Sequence, residues 1–311
     1  MPNPVKHAFL DELREKAGYL NKLPNSNSLY EIGDGAARVY IRYSKLHDRG
    51  TAFFGLRKDD LQQLQGHPSL LAFLWDTQTQ PLFVPFADYE DLFQSGTPAQ
   101  DGQFKAQIYV GADTSELYIA RMGRFNLEGF YGWQPLTNML HASNGKTVPI
   151  LTHSQVQSLL TGIGGAKGYD IWVPQNDRGK LDPVVIGALT CCDELPPGLG
   201  DAADILQEVD VVWLQKGSRQ ISGLFEVEHS TPIYSALLRF NDVHLAVPNP
   251  SITFRIIAND MRRSLFVRQL NRPTFRVSGL NQLCTFLEYK NVYGWFQRVC
   301  HPAPAPEAAS A

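Results

Sequence analysis

Residues 224–231 read LFEVEHST and set two carboxylates, Glu226 and Glu228, one position apart at the end of an apolar run. Side chains alternate faces along a strand, so these two share a side, about 6–7 Å apart, while Phe225 and Val227 point to the other. Upstream, Asp210 opens the apolar run VDVVWLQ, and the turn KGSR joins that run to ISGLFEVE as a hairpin. If the hairpin turns about Ser218, Asp210 falls opposite Glu226, and directly opposed residues share a face at a Cβ separation of about 5 Å. Three carboxylates in one patch repel and raise one another's pKa values. A divalent cation removes that cost, and hard oxygen donors suit Mg²⁺. One or two such ions can activate a water and stabilise a leaving phosphate oxygen, the chemistry of phosphodiester hydrolysis. An arbitrary E-x-E is most often a solvated strand end. Here the carboxylates lie inside apolar runs, on two strands whose register can bring them together.

The elements that must position these residues lie in the second half of the chain. THSQVQSLLTGIGG reads as a helix stopped by glycines, YDIWVP as a strand, GLGDAADILQ as a short helix, and then comes the hairpin. Ser230 or Thr231 followed by Pro232 signals a helix start over STPIYSALLRFND. ITFRIIAN is a strand, MRRSLFVRQLNR a helix and TFRVSG a further short strand. This order describes a domain over 150–300 with helices on a mixed central sheet. Residues 6–20 form an amphipathic helix. From about 37 to 130 the runs ARVYIRY, TAFFGL, LLAFLWD, QPLFVPF, FKAQIYVG and ELYIARM predict strands, with one helix over RKDDLQQL. The spacing predicts a barrel or a sandwich, taken as a β-rich, barrel-like domain over 1–145, with LEGFYGWQPLTNMLHASNGKTVP as a connecting segment. The tail 301–311, HPAPAPEAASA, is too poor in large apolar residues to pack and is expected to be disordered. The fold class expected is α+β, in two domains.

The order Asp210, hairpin, Glu226-Val227-Glu228, helix resembles the PD-(D/E)XK nuclease superfamily, the restriction-endonuclease-like fold, over residues 150–280. In that family a strand Asp is followed by (Asp/Glu)-x-Lys on the next strand, with a helix packed behind. The resemblance implies a Mg²⁺-dependent endonuclease acting on double-stranded DNA, with Asp210 and Glu226 as metal ligands. Glu228 stands where the family usually has lysine, an E-x-E variant that some restriction enzymes resembling this family carry. It leaves open a base, a second-metal ligand or a mark of lost activity. Asp170 and Gln155 occupy places where the family sometimes supplies a further polar group. Cleavage of both strands needs two such centres, so a homodimer is expected.

Charge distribution agrees with a polyanionic partner more than the net charge of −3 does. Residues 252–300 carry eight basic side chains, Arg262 and Arg263 among them, against Asp260 and Glu288 alone. Residues 38–58 add Arg38, Arg42, Lys45, Arg49, Arg57 and Lys58 against Asp48. Each patch alone is as readily a solvated face. Two patches flanking an acidic site favour a DNA cleft. The N-terminal domain, with Arg38, Arg42, Lys45 and Arg49, is expected to read the target.

Other motifs carry less. TGIGGAKGYD lacks phosphate-loop spacing and follows no strand. Cys300-His301 has no second ligand pair for zinc. His229 reads as a histidine at a strand-to-helix turn, and Arg239 and Asp242 as an i, i+3 pair on one helix. The four cysteines form no framework spacing, which suits reduced thiols in a cytoplasm. No apolar run approaches a membrane span, and the charged N-terminal stretch does not read as a signal peptide. Two functions from different classes remain. One is a restriction-type endonuclease and the other a non-catalytic DNA-binding protein that kept the fold. A glycosidase is disfavoured for want of aromatic subsites.

Overall fold

The structure, a computed structural model, describes residues 3–301 apart from 25, 34, 36, 49, 112–114, 146–148, 230–231 and 248–250. The chain divides into two compact units, Met1–Thr147 and Val148–Ala311.

In the first unit the strands Leu20–Lys22, Leu29–Ile32, Ala37–Ser44, Ser69–Trp75 and Leu82–Pro85 form one sheet in that spatial order. Its pair Ala37–Ser44 and Ser69–Trp75 is parallel and the other pairs are antiparallel. A second sheet, antiparallel throughout, orders Gly123–Asn126, Ser115–Ile119, Gln103–Val110, Thr51–Arg57 and Leu46–His47. Tyr40, Phe54, Phe73, Phe104, Ile108 and Leu117 pack together between the sheets. The far face of the first sheet, with Val39, Ile41, Ala72 and Phe83, is covered by the helices Pro4–Ala17 and Gln134–Gly145 through Phe9, Leu13 and Leu136.

The strand SLLAFLW is therefore buried at all seven positions, as a central strand covered on both faces must be. The expected barrel is not formed: among the described residues no sheet closes. The first sheet has two apolar faces, one packed on the second sheet and one under helices, and Gln134–Gly145, within the segment expected to be a connector, supplies part of that helical layer. The helix Lys58–Leu64 lies where RKDDLQQL placed it.

The second unit holds a mixed five-stranded sheet ordered Tyr169–Trp172, Val211–Gln215, Ile221–Val227, Thr253–Ala258 and Cys284–Glu288. The first three strands pair antiparallel and the last three parallel. The helices His153–Ala166 and Tyr289–Cys300 cover one face through Val156, Leu160, Val292 and Trp295, against Trp213 and Phe225. Ile233–Ala246, Ala202–Gln207, Arg263–Leu270 and Pro273–Ser278 cover the other through Leu237, Phe240, Phe266 and Phe275, against Leu224 and Phe254. One expectation is corrected here. TFRVSG is not a strand but belongs to the helix Pro273–Ser278, with proline in its first turn and left-handed Gly279 at its end. The fifth strand is CTFLE instead. Gly162, Gly164 and Gly165 lie inside the last turns of their helix, which ends at Ala166, one residue past the expected end, with left-handed Gly168 just beyond. A Cβ on Gly164 would lie 2.5 Å from both Ile171 and the Trp213 indole. Its absence lets that indole lie close enough to donate to the Leu160 carbonyl at 3.1 Å.

Candidate active site

Several carboxylates and cations gather where the parallel strands of the second unit end. The ladder pairs Val211 with Phe225 and Val212 with Leu224. Continued by one residue, it sets Asp210 opposite Glu226. A register shift between Trp213 and Leu214 separates this end from the turn, so the alignment expected about Ser218 applies only on the carboxylate side.

Asp210 lies just before its strand and is held from three directions. Its Oδ2 accepts from the Val227 amide at 2.7 Å and lies 3.3 Å from His153 Nε2. Gln157 Nε2, one turn along the same helix, donates to the Asp210 carbonyl at 3.3 Å. The Asp210 contact raises the pKa of His153 above the ordinary histidine value, against the opposing effect of burial.

Glu226 is 1% exposed. Alternation places it with Leu224 on the face covered by the helix Ile233–Ala246. There Arg239 donates from Nε to Oε1 at 2.6 Å and from its terminal nitrogen to Oε2 at 2.9 Å, a two-point pair. Burial pushes the Glu226 carboxyl up to about 8; the Arg239 fork opposes this, and the neighbouring charges of Asp210 and Glu228 add to it. The same pair holds Arg239 in its charged form.

Glu228 is 2% exposed. Its amide donates to the Ile257 carbonyl at 2.7 Å and its carbonyl accepts from Arg262 at 2.8 Å. Both faces of this strand are thus core. The two glutamates are not a solvated edge.

Further groups line the same end. Ala258 pairs with Glu288, which is 3% exposed and bound by Arg263 at 3.0 Å and Lys290 at 2.8 Å. Tyr289 follows, its hydroxyl 3.2 Å from His229 Nδ1 and its ring stacked on that imidazole. Burial pushes the Tyr289 phenol up to about 12.

Sequence reasoning missed His153, Gln157, Glu288 and Tyr289, and paired Arg239 with Asp242 instead of Glu226. Only Arg239 had a readable signal, because it flanks the apolar stripe of Ile233, Ala236, Leu237, Phe240 and Val243. Gln155 is occupied in a capping box with Thr152, and Asp170 pairs opposite Leu214, away from this end. Ser230 and Arg49 lie outside the described residues, as does the tail from 302.

The basic residues singled out for DNA are placed unequally. Arg38 is buried at 3% exposure, paired with Glu31 at 3.1 Å and donating to the Gln63 carbonyl. It presents no charge to a partner, because its strand is covered on both faces. Arg42 is half-buried, contacting Ser28 and the Tyr40 ring. Lys45 is exposed. Arg262 and Arg263 are half-buried at the carboxylate end.

The donor set at this end is hard oxygen, the kind Mg²⁺ takes. As it stands the arrangement does not fit an ion. Among the described residues no three His, Cys, Asp or Glu side chains stand close enough to hold one, and both Glu226 oxygens belong to Arg239. No helix among the described residues is long and apolar enough to cross a membrane.

Comparison with known proteins adds an independent line. The family described as the type II restriction enzyme NmeDI C-terminal domain matches residues 138–303, just over half of the chain. The type II restriction enzyme NmeDI of Neisseria meningitidis serogroup C is 28% identical across 40% of this chain. The match spans 37% of that relative's length. No solved structure matches.

Proposed function

The chain belongs to the family of the type II restriction enzyme NmeDI C-terminal domain, and from that premise we propose that it is a restriction-type endonuclease hydrolysing phosphodiester bonds in double-stranded DNA. The observation that carries this reading is the juxtaposition of Asp210 with buried Glu226 across one hairpin, inside the matched region. Burying a carboxylate is costly unless it is paired, as Glu226 is by Arg239, and perturbed groups of this kind cluster at functional sites. The reading takes the second unit as a catalytic domain of the PD-(D/E)XK, restriction-endonuclease-like kind in its E-x-E variant. The first unit reads the target, and the active species is a homodimer.

The cofactor in this reading is Mg²⁺, held by Asp210 and Glu226. The present pairing of Glu226 must change before such an ion can bind. Arg262, Arg263 and Lys290, cations at the same end of the sheet, are the groups suited to hold a DNA phosphate there. Glu228, fixed through its main chain to Ile257 and Arg262, takes the position of the family's lysine.

A second reading is a nuclease-fold protein that binds DNA without cutting it. Arg239 on Glu226 and the glutamate in place of lysine favour it. Duplex DNA of several modification states, incubated with Mg²⁺ and with chelator, separates the two. Mg²⁺-dependent cleavage that is lost in Asp210→Ala and Glu226→Ala is the expected result. Cleavage unaffected by either substitution removes both residues from the site. Salt-sensitive binding with no cleavage of any substrate establishes the second reading.

A further inference from the structure

Three cations of the first unit converge on one turn. Lys6, in the helix Pro4–Ala17, donates from Nζ to the Asn27 carbonyl at 2.9 Å. Lys22, at the end of the edge strand Leu20–Lys22, donates from Nζ to the Asn27 side-chain oxygen at 3.0 Å. Arg42, on the strand Ala37–Ser44, donates to the hydroxyl of the next residue, Ser28, at 3.3 Å. Every one of these acceptors is neutral. Asp11, on the same helix as Lys6, is engaged by His7 and Arg14, and Glu31, on the strand beside that of Lys22, by Arg38. Among the described residues no carboxylate pairs with Lys6, Lys22 or Arg42.

Such a cluster is unfavourable as it stands. Lys6 sits in the first turn of its helix, which holds no acidic residue, and a cation at that end opposes the helix dipole. Burial, and then the charges of Arg42 and Lys22, lower the pKa of its ammonium. Arg42 lies over the Tyr40 ring at 5.8 Å, and its Nε is buried without a hydrogen-bond partner among the described residues. A buried donor left unused costs about 1–3 kcal/mol. Lys22 and Asn27 are exposed, so the cluster is open to solvent on one side. An anion arriving there would offset the repulsion among the three cations and accept from donors that now meet only neutral oxygens.

We infer that Lys6, Lys22 and Arg42 form an anion site on the first unit that takes a backbone phosphate of duplex DNA. The inference rests on the reading of the chain as a DNA endonuclease and adds to it a contact through which the first unit holds the duplex. The cations come from a helix and two strands around an exposed turn, a rim along which a long strand can pass. Contacts to phosphate fix register and orientation and carry no sequence information of their own. The cluster therefore contributes affinity to every duplex alike.

The test is fluorescence anisotropy of the full chain with duplexes of several unrelated sequences, over a salt series and in chelator. Lys6→Gln combined with Lys22→Gln is expected to weaken binding to every duplex by a common factor, about five- to tenfold at physiological salt, and to lower the salt slope by about one unit. Arg42→Gln is expected to do the same and carries the test if the lysine variant does not fold, while Arg42→Lys, which keeps the charge, is expected to keep the slope. The melting temperature of the free lysine variant is expected to match or exceed that of wild type, because like charges no longer face one another. Unchanged affinity and slope in the variants, with wild type binding duplex, overturn the inference and leave the endonuclease reading intact. A loss that differs between sequences, or that comes with a lowered melting temperature, also overturns it, making the cluster base-reading or structural. At constant ionic strength, millimolar inorganic phosphate is expected to leave DNA binding unaltered. Displacement of DNA by phosphate from wild type, but not from the lysine variant, makes this a site for free phosphate and overturns the assignment to DNA. If wild type binds no duplex at any salt, the inference fails together with the DNA reading.

Discussion

Arg239 grips both carboxylate oxygens of Glu226, at 2.6 and 2.9 Å, from a helix lying across the sheet face toward which Glu226 points. The pair joins helix to sheet between two apolar strand neighbours, Phe225 and Val227, both buried. Breaking it from the acidic side leaves a half-buried guanidinium without this partner and a buried space where the carboxylate was. Glu226→Ala is expected to lose about 3 kcal/mol of stability. Glu226→Gln, which keeps the volume and one acceptor, is expected to lose less. Urea denaturation in chelator, followed by circular dichroism, measures both. An alanine variant as stable as wild type would show the pair to be idle.

Asp210→Asn separates position from charge. The amide keeps an oxygen for the Val227 amide, so stability is expected to change by no more than about 1 kcal/mol. DNA cleavage is expected to fall by about a hundredfold or more, the scale of losing a group that meets developing charge. Single-turnover cleavage beside a denaturation curve tests the split, and equal losses in the two would make Asp210 structural.

His153 should leave a pH signature. Its pKa is raised in the folded chain, chiefly by Asp210. Its contact therefore contributes stability in full below the unfolded value, about 6.5, and loses it as pH rises through the higher folded value. With His153 side-chain exposure of 37% the contribution is small, about 0.5 kcal/mol. Thermal melts in chelator between pH 5.5 and 9 are expected to show that decline in wild type and a flatter profile in His153→Asn. Parallel profiles would remove His153 from the pair.

Gly164→Ala sets helix propensity against packing. Alanine favours a helix interior by about 1 kcal/mol. Here its Cβ would meet Ile171 and the Trp213 indole at 2.5 Å, an overpacking cost of about 1–3 kcal/mol. The variant is expected to be net destabilised, with altered tryptophan fluorescence. A stabilised variant would mean that the helix can shift away from the sheet.

Arg38 and Lys45 make a contrast within one basic segment. Arg38→Ala is expected to destabilise the chain by about 3 kcal/mol, since it removes a buried guanidinium that Glu31 and the Gln63 carbonyl are packed against. Exposed Lys45→Ala is expected to leave stability unchanged and to lower the salt dependence of DNA binding by about one unit in slope. Fluorescence anisotropy over a salt series, beside denaturation curves, reads both. Unaltered stability in the arginine variant would refute the structural role given to Arg38.

Much of the second unit's order was legible from apolar periodicity and turn residues. The hairpin, the helix behind it and the strand ITFRIIAN all lie where the pattern put them. TFRVSG misled because its β-branched and aromatic residues carry a strand signal, while Pro273 and Gly279 bracket it as a single helical unit. The strand CTFLE, which completes the sheet, is five residues long and gave no alternation to read. In the first unit, strand propensity was informative about existence and silent about closure. Whether a sheet closes depends on which edges meet, and the parallel pairing of Ala37–Ser44 with Ser69–Trp75 is a long-range choice.

At the carboxylate end the same division holds. By itself the sequence determined that Glu226 and Glu228 share a face and that Asp210 can stand opposite Glu226. Backbone alternation and hairpin length are local, and they act over the few residues of one turn. Only the tertiary structure decided what covers that face. Arg239 meets Glu226 because the apolar stripe of its helix seats on the sheet at one angle. His153, 57 residues before Asp210, reaches it because another helix crosses the opposite face. Such contacts follow from the packing of whole layers, which no short stretch of sequence encodes, and they turn a doubled glutamate into a buried pair with its own cation.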